Sequence, residues 1–276
     1  MRYTSRLSGT MLITLLNTFA VLAQNDTSKP KTAATDAAEV AKKLANPIAS
    51  LVSVPFQNNL DVGIGDHHGS RNTLNIQPVI PLSLSSKLNL IARVVLPVVS
   101  QQDVTAEGAK QSGLADAIVS AFFSPAAARN GTVWGAGPCF LVPNATNDML
   151  ATKKLGVGPT AVILKQAHGW TVGALINQIW SVAGDKERTD INQMFFQPFA
   201  GYNWKSGAGL VVNSEMTQNW QGDTFTAFIN PMVNGITKIG KQMVQLQIGP
   251  RIPVAAPKGN KADFGVRASL VLVFPK

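Results

Sequence analysis

From Ile48 to its C-terminus the chain alternates apolar and polar positions in segments of about ten residues, the period of strands with two unlike faces. The alternation predicts strands near 48–57, 71–82, 87–99, 113–124, 131–142, 156–167, 169–181, 190–203, 207–216, 223–239, 241–252 and 262–274. Their number is twelve, and even strand numbers are the rule for bacterial barrels. The final segment is the most telling. Val266, Ala268, Leu270, Leu272 and Phe274 share one face, while Gly265, Arg267 and Ser269 share the other before Val271 and Val273 blur the contrast. A greasy face, a small polar face and a terminal aromatic describe the closing strand of a transmembrane β-barrel. The predicted fold is therefore all-β, an antiparallel up-and-down barrel.

The other segments sort the same way. In the third strand Leu88, Leu90, Ala92, Val94 and Leu96 face lipid, with Asn89 and Arg93 inward. In the eighth, Met194, Phe196, Ala200 and Tyr202 oppose Gln193 and Gln197, and in the eleventh Val244, Leu246 and Ile248 oppose Gln245, Gln247 and Arg251. The seventh, 169–181, does not alternate cleanly, because Leu175 and Ile179 oppose Ala174 and Ile176. Trp134, Trp170, Trp180, Trp204, Trp220 and Phe274 lie at or near strand ends, as interfacial girdles require. Long polar connectors at 58–70, 100–112, 143–154 and 183–189 alternate with tight ones such as His168-Gly169, the mark of outer loops and periplasmic turns.

Ahead of the strands, residues 1–23 read as a secretory leader: Arg2 and Arg6, then an apolar stretch, then Ala23 before the cut. Residues 24–47 form a periplasmic segment with a short helix, started by the pair Asp36 and Glu39 and stopped by Pro47. The barrel domain is 48–276. Only 14% of the residues are charged, against about 25% in soluble domains. Few charges without a long apolar helix suit a barrel with lipid outside and polar groups inside. The net charge of +9 includes Arg2 and Arg6 of the leader, leaving +7, and its basic residues are scattered rather than clustered as nucleic-acid binding needs. The single cysteine, Cys139, excludes an internal disulfide.

No catalytic or metal-binding constellation is visible, and no cofactor is implied. His67 and His68 fall in a loop and His168 in a turn, with no spaced carboxylate or thiol set to complete a ligand cluster. The chemistry-bearing groups are inward charges: by the alternation Arg93, Asp116, Lys165, Glu215, Arg251 and Arg267 line the lumen. A cation on the lipid face at the midplane would cost roughly 2–4 kcal/mol. These charges either line a solute path with a transverse field or pair with each other and fill the barrel. Barrels of about eight strands are filled by side chains and those of sixteen or more are open, so twelve strands admit both.

Several blocks carry a resemblance: Leu44-Ala-Asn-Pro-Ile-Ala-Ser-Leu-Val-Ser-Val-Pro-Phe56, Thr73-Leu-Asn-Ile-Gln-Pro-Val-Ile-Pro81, Phe123-Ser-Pro125, Trp170-Thr-Val-Gly-Ala-Leu175, Ile179-Trp-Ser-Val-Ala-Gly184 and the ending Leu272-Val-Phe-Pro-Lys276. In these the chain resembles bacterial outer-membrane barrel proteins often mislabelled neuromedin U, close to the family named for the MetA pathway of phenol degradation. The resemblance implies an outer-membrane barrel of a Gram-negative-type bacterium and transport of small hydrophobic or aromatic compounds, and it transfers no site residues. The expected function is passage or binding of small solutes without chemistry. Expected partners are outer-membrane lipid, the barrel assembly machinery and a small-molecule solute. The competing expectations are an outer-membrane enzyme such as a lipase, or a structural or adhesive barrel working through its loops. On the closing strand, Leu272→Arg is expected to disrupt insertion and Arg267→Leu to be tolerated.

Overall fold

The computed structural model describes residues 32–274. The leader expected at 1–23 and the tail residues Pro275 and Lys276 lie outside the described residues. One helix, α1 (Thr32–Leu44), precedes strands β1 (Val52–Ile64), β2 (Gly69–Ile76), β3 (Val79–Ser83), β4 (Leu88–Gln102), β5 (Lys110–Leu114), β6 (Ala117–Pro125) and β7 (Thr132–Val142). They are followed by β8 (Lys154–Ala167), β9 (Trp170–Gly184), β10 (Asn192–Asn203), β11 (Gly209–Asn219), β12 (Thr224–Ile239), β13 (Gln242–Ala255) and β14 (Phe264–Phe274). Neighbours in sequence pair antiparallel, and β14 returns to β1 in register from Val52 with Phe274 to Val62 with Phe264, closing the sheet.

Two staves are each made of two strands. β2 and β3 run in line along β4 and are interrupted at Gln77-Pro78, while β5 and β6 run in line on its other side and are interrupted at Ala115-Asp116. Proline has no N–H to give a ladder, and backbone bonds bridge both gaps: Gln77 N donates to Pro55 O, and Ala115 N to Pro97 O. The fold is thus a closed twelve-stave antiparallel barrel with one short N-terminal helix.

Outward positions are apolar along the staves, as at Ile163, Ile176, Leu210, Val233 and Ile248. Trp134, Trp170 and Trp204 ring the end where β1 begins and β14 ends, which we call the turn end; Trp180 and Trp220 stand at the opposite, loop end. At the turn end Tyr202 lies edge-on to both Trp170 and Trp204, at centroid distances of 5.3 and 5.7 Å. Turn-end connectors are short. His168 (φ 50°) and Gly169 (φ 85°) make a two-residue hairpin with both residues left-handed, the geometry that matches strand twist. The loop-end connectors are 65–68, 103–109, 143–153, 185–191, 220–223 and 256–263.

The first strand departs most from the sequence expectation. Strand was predicted at 48–57 with a loop at 58–70; the strand runs Val52–Ile64, and only 65–68 turns. Asn59 and Asp61 are buried while Leu60 and Val62 are exposed to the outside, so this polar-looking stretch alternates after all. Ile48, Ala49 and Leu51 do not alternate because all three are buried. They belong to a segment folded inside the barrel. α1 starts a turn before the expected Asp36, in keeping with the high helix propensity of its alanines. Glu39 is therefore mid-helix and pairs with Lys43 at 2.9 Å instead of closing a capping box.

α1 sits at the turn end. Gln166 Nε2 donates to Lys42 O, and Ala37 lies close to Gly207 in the β10–β11 turn. Val40, Leu44 and Met243 pack on the cluster of Ala49, Leu51, Val271 and Val273. This contact explains why the inward face of β14 turns apolar at Val271 and Val273: those residues meet the N-terminal segment rather than water.

Candidate solute site in the barrel lumen

The lumen has two unlike walls. One, built by β10 to β14 and β1, is charged. Arg251 Nε lies 3.1 Å from Asp61 Oδ1, and its Nη1 lies 2.7 Å from Glu215 Oε2. Arg267 Nη2 reaches the same Glu215 oxygen at 2.6 Å. Arg267 is fully buried; its Nε donates to Asn59 Oδ1 at 2.7 Å. Asn230 Nδ2 donates to Asn213 Oδ1 between them, and the Arg251 guanidinium rests 3.5 Å from the Phe228 ring centroid. Two guanidiniums and two carboxylates thus form a formally neutral belt with their hydrogen-bonding groups occupied. Buried charges are tolerated only on such terms, since an unpaired one costs several kcal/mol.

The other wall, from β3 to β9, is apolar. Val79, Ile91, Phe122, Val162, Leu164 and Leu175 are buried there and enclose Ile48 of the N-terminal segment, with Phe199 packed against them. A Cβ built on Gly135 would meet Ile48 Cδ1 at 3.0 Å, so the glycine leaves the space that the isoleucine fills. Below this wall the segment 45–51 is fixed by its own turn: Asn46 Oδ1 accepts from Ile48 N, and Ala49 N donates to Asn46 O.

Between the N-terminal segment and the charged belt lies a cavity of about 200 Å³. Gln57, Gln197, Gln247, Asn213 and Ser269 face it from the polar wall, and Val79 and Phe199 from the apolar side. Arg93 also lines it. Its Nη2 donates to Gln77 Oε1 at 2.8 Å. Among the described residues no carboxylate lies within ion-pair distance of Arg93, in contrast to Arg251 and Arg267.

The sequence-derived lumen set therefore divides. Glu215, Arg251 and Arg267 come together in the belt, and Arg93 stands apart in the cavity. Asp116 faces neither: it is buried in the gap between β5 and β6, where it accepts bonds from Ala145 N, Thr152 N and Thr152 Oγ1 and so anchors the 143–153 loop. Lys165 is a correction. It is paired in register with Thr132 and with the outward Val172, is exposed, and shares an outer-surface hollow with Trp134 and Arg129. The inward positions of β8 are Thr160, Val162, Leu164 and Gln166, because this wall of the lumen is itself apolar and hydrophobicity no longer marks the lipid side. At the strand end a lysine reaches the interface with its long stem along the barrel.

Asp61 and Asn59 were missed because they fell in the expected 58–70 loop. The alternation of Asn59 and Asp61 with Leu60, Val62 and Ile64 carries the signal. Arg71 opens the expected second strand, 71–82, and was given no face there; its Nε donates to Gln101 Oε1, which belongs to a chain of amides toward the loop end. The faces of β9 are now assigned: Thr171, Leu175, Asn177 and Ile179 inward, Trp170, Val172, Ile176 and Trp180 outward. The three histidines occupy turns at opposite ends, His67 and His68 at 65–68 and His168 at 168–169. Cys139 is inward and buried, with Sγ 3.5 Å from Pro159 O.

No protein-family model and no curated protein matches this sequence. Among solved structures, the chain is similar to an outer-membrane channel from Pseudomonas putida F1, with a TM-score of 0.65 at 17% identity over 81% of this chain and 96% of that one. The β domain of the Bordetella autotransporter BrkA aligns over 82% of this chain and 100% of its own at 11% identity, with a TM-score of 0.43. Vibrio cholerae OmpT aligns over 81% and 96% at 10% identity, with a TM-score of 0.39. The last two are too distant to carry an argument. The first shows that this chain has the fold of an outer-membrane channel.

Proposed function

We propose that this chain is an outer-membrane barrel of a Gram-negative-type bacterium that admits and holds small solutes without chemical change, its leader removed on export. The observation that carries this reading is the lumen itself. A barrel serving only as a filled scaffold has no need of an internal cavity of about 200 Å³ with one amide-lined and one apolar wall. Small solutes with a hydrophobic or aromatic part fit such a pair of walls, in agreement with the resemblance to the phenol-degradation family. Bilayer lipid and the barrel assembly machinery are the partners that this location requires.

The lipase alternative needs a serine–histidine pair at the outer rim, and no observation favours one. His168 belongs to the turn end, and among the described residues no nucleophile is paired with His67 or His68. An adhesive role through the loops likewise has no observation in its favour.

Purified protein in a planar bilayer tests the proposal. Small, discrete currents that are reduced by a small aromatic solute are expected. Absence of both conductance and solute binding, or recovery of the mature chain as a soluble periplasmic monomer without detergent, contradicts it.

A further inference from the structure

We propose that the cavity is a binding site for a small organic monoanion, a carboxylate on a compact apolar body, with Arg93 receiving the carboxylate. The inference rests on the solute-binding reading above and narrows its ligand class. The arginines around the cavity differ in how far their donors are already used. Arg251 and Arg267 spend their donors on Asp61, Glu215, Asn59 and Asn213, so neither has a donor set facing an empty volume. Arg93 lines the cavity and gives one bond to the neutral amide of Gln77. A guanidinium offers five N–H donors in a planar fork that matches a carboxylate in two-point contact. Gln77 holds that fork in place and leaves its charge uncompensated by direct contact.

The surroundings then select the rest of the ligand. Arg93 is directly opposite Val79 in the sheet, and Ile91 lies two residues before it on the same face. Val79 and Ile91 are buried members of the apolar wall, and Phe199 of β10 packs against that wall while also lining the cavity. A carboxylate at Arg93 therefore has an apolar surface beside it and side-chain amides across from it. A highly hydrated inorganic anion gains nothing from Val79 and Phe199, whereas an apolar body attached to the carboxylate does. The closed belt on the loop side and segment 45–51 on the turn side bound the length, so a single ring or a short branched chain is the fitting size.

Benzoate and its neutral isostere benzamide separate charge from shape. The full-length mature barrel in detergent is titrated with each by ligand-observed NMR saturation transfer and by calorimetry. Benzoate is expected to bind at least tenfold more tightly than benzamide. Arg93→Gln should abolish that preference, and Phe199→Ala should weaken both ligands by a similar factor. Lys165→Gln on the outer surface should change neither. Heat-modifiable gel migration of each variant verifies that the barrel is folded, and Arg93→Lys, which retains the charge, should recover part of the preference. Equal binding of benzoate and benzamide to the wild type, or an unaltered preference in folded Arg93→Gln, overturns the proposal. Benzoate binding in a barrel that shows no conductance leaves this site standing and removes only the passage reading.

Discussion

The two walls of the lumen were built by opposite rules. At the level of the belt, the inward residues of β11 to β14 and β1 are charged or amide-bearing, and polar alternation marks Glu215, Arg251 and Arg267 there. Around β6 to β9 the inward residues include Phe122, Val162, Leu164, Leu175 and Ile179, as hydrophobic as the residues facing outward, set among small or amide side chains such as Thr160, Thr171 and Asn177. Alternation has no contrast to read there, which is why β9 resisted assignment and Lys165 was placed on the wrong face. The cause is Ile48. An N-terminal segment folded into the lumen gives one wall a hydrophobic partner, and that wall has become a core. A barrel's inner face is polar only where water or charge occupies it.

The largest effect expected from breaking this contrast lies in the charged wall. Arg267→Leu, expected from the strand pattern alone to be tolerated, removes a fully buried guanidinium and leaves Glu215 with Arg251 as its remaining cation. Loss of one partner of such a pair costs about 3–5 kcal/mol. Urea unfolding of the lipid-reconstituted barrel measures it, and an unchanged midpoint would show that the belt does not hold the wall. The counterpart in the apolar wall is Leu175→Ala. This residue is 2% exposed, so the expected loss is about 2–5 kcal/mol, as for a core leucine in a soluble protein. A loss well below that range would mean that the wall is wet.

Next come the outward positions. Leu272→Arg on the lipid face of β14 should cost roughly 2–4 kcal/mol if it lies near the midplane. Lys165→Leu at the turn-end rim should stay within about 0.5 kcal/mol, as for a surface change, whereas an inward Lys165 would give a large effect. Assembly yields of the two variants, compared on gels with and without heating, check the facing of both strands.

The smallest expected effect concerns the 185–191 loop. Asp190 accepts from Lys154 Nζ at 2.8 Å and from Ser181 Oγ at 3.1 Å, and these bonds, led by that from Lys154, hold its carboxyl below the ordinary value. A depressed carboxyl stabilises above its ordinary pKa of about 3.9, and that contribution is lost as pH falls through the lower folded value. Hydrogen-exchange protection in 185–191, taken relative to the intrinsic rate at each pH, should therefore fall on acidification in the wild type and lose this step in Asp190→Asn. Identical pH profiles would show that the exposed pair contributes nothing.

Much of the fold was legible because membrane strands repeat one rule twelve times. The β14 faces, the tryptophan ends and the tight turns all follow from period and local turn chemistry. Three things were not legible, each for a physical reason. The start of β1 was misread because Ile48, Ala49 and Leu51 look like strand but are buried on all sides. Asp61 was read as loop because its stretch, Asn58 to Asp66, is rich in Asn and Asp. The partition of the arginines depends on which carboxylates lie across the barrel, separated by 190 residues for Asp61 and Arg251, and no local pattern encodes that distance.

Reversal potentials from single channels in a salt gradient separate Arg93, the arginine that lines the cavity without an ion pair, from the structural Arg251 and Arg267. Arg93→Gln should move the reversal potential toward cation preference with assembly and unfolding resistance intact, because a fixed positive charge lowers the energy of anions beside it. Arg251→Gln and Arg267→Gln should instead lower unfolding resistance and raise conductance as the belt loosens. Equal shifts in selectivity from all three variants, with none of them less stable, would contradict the account.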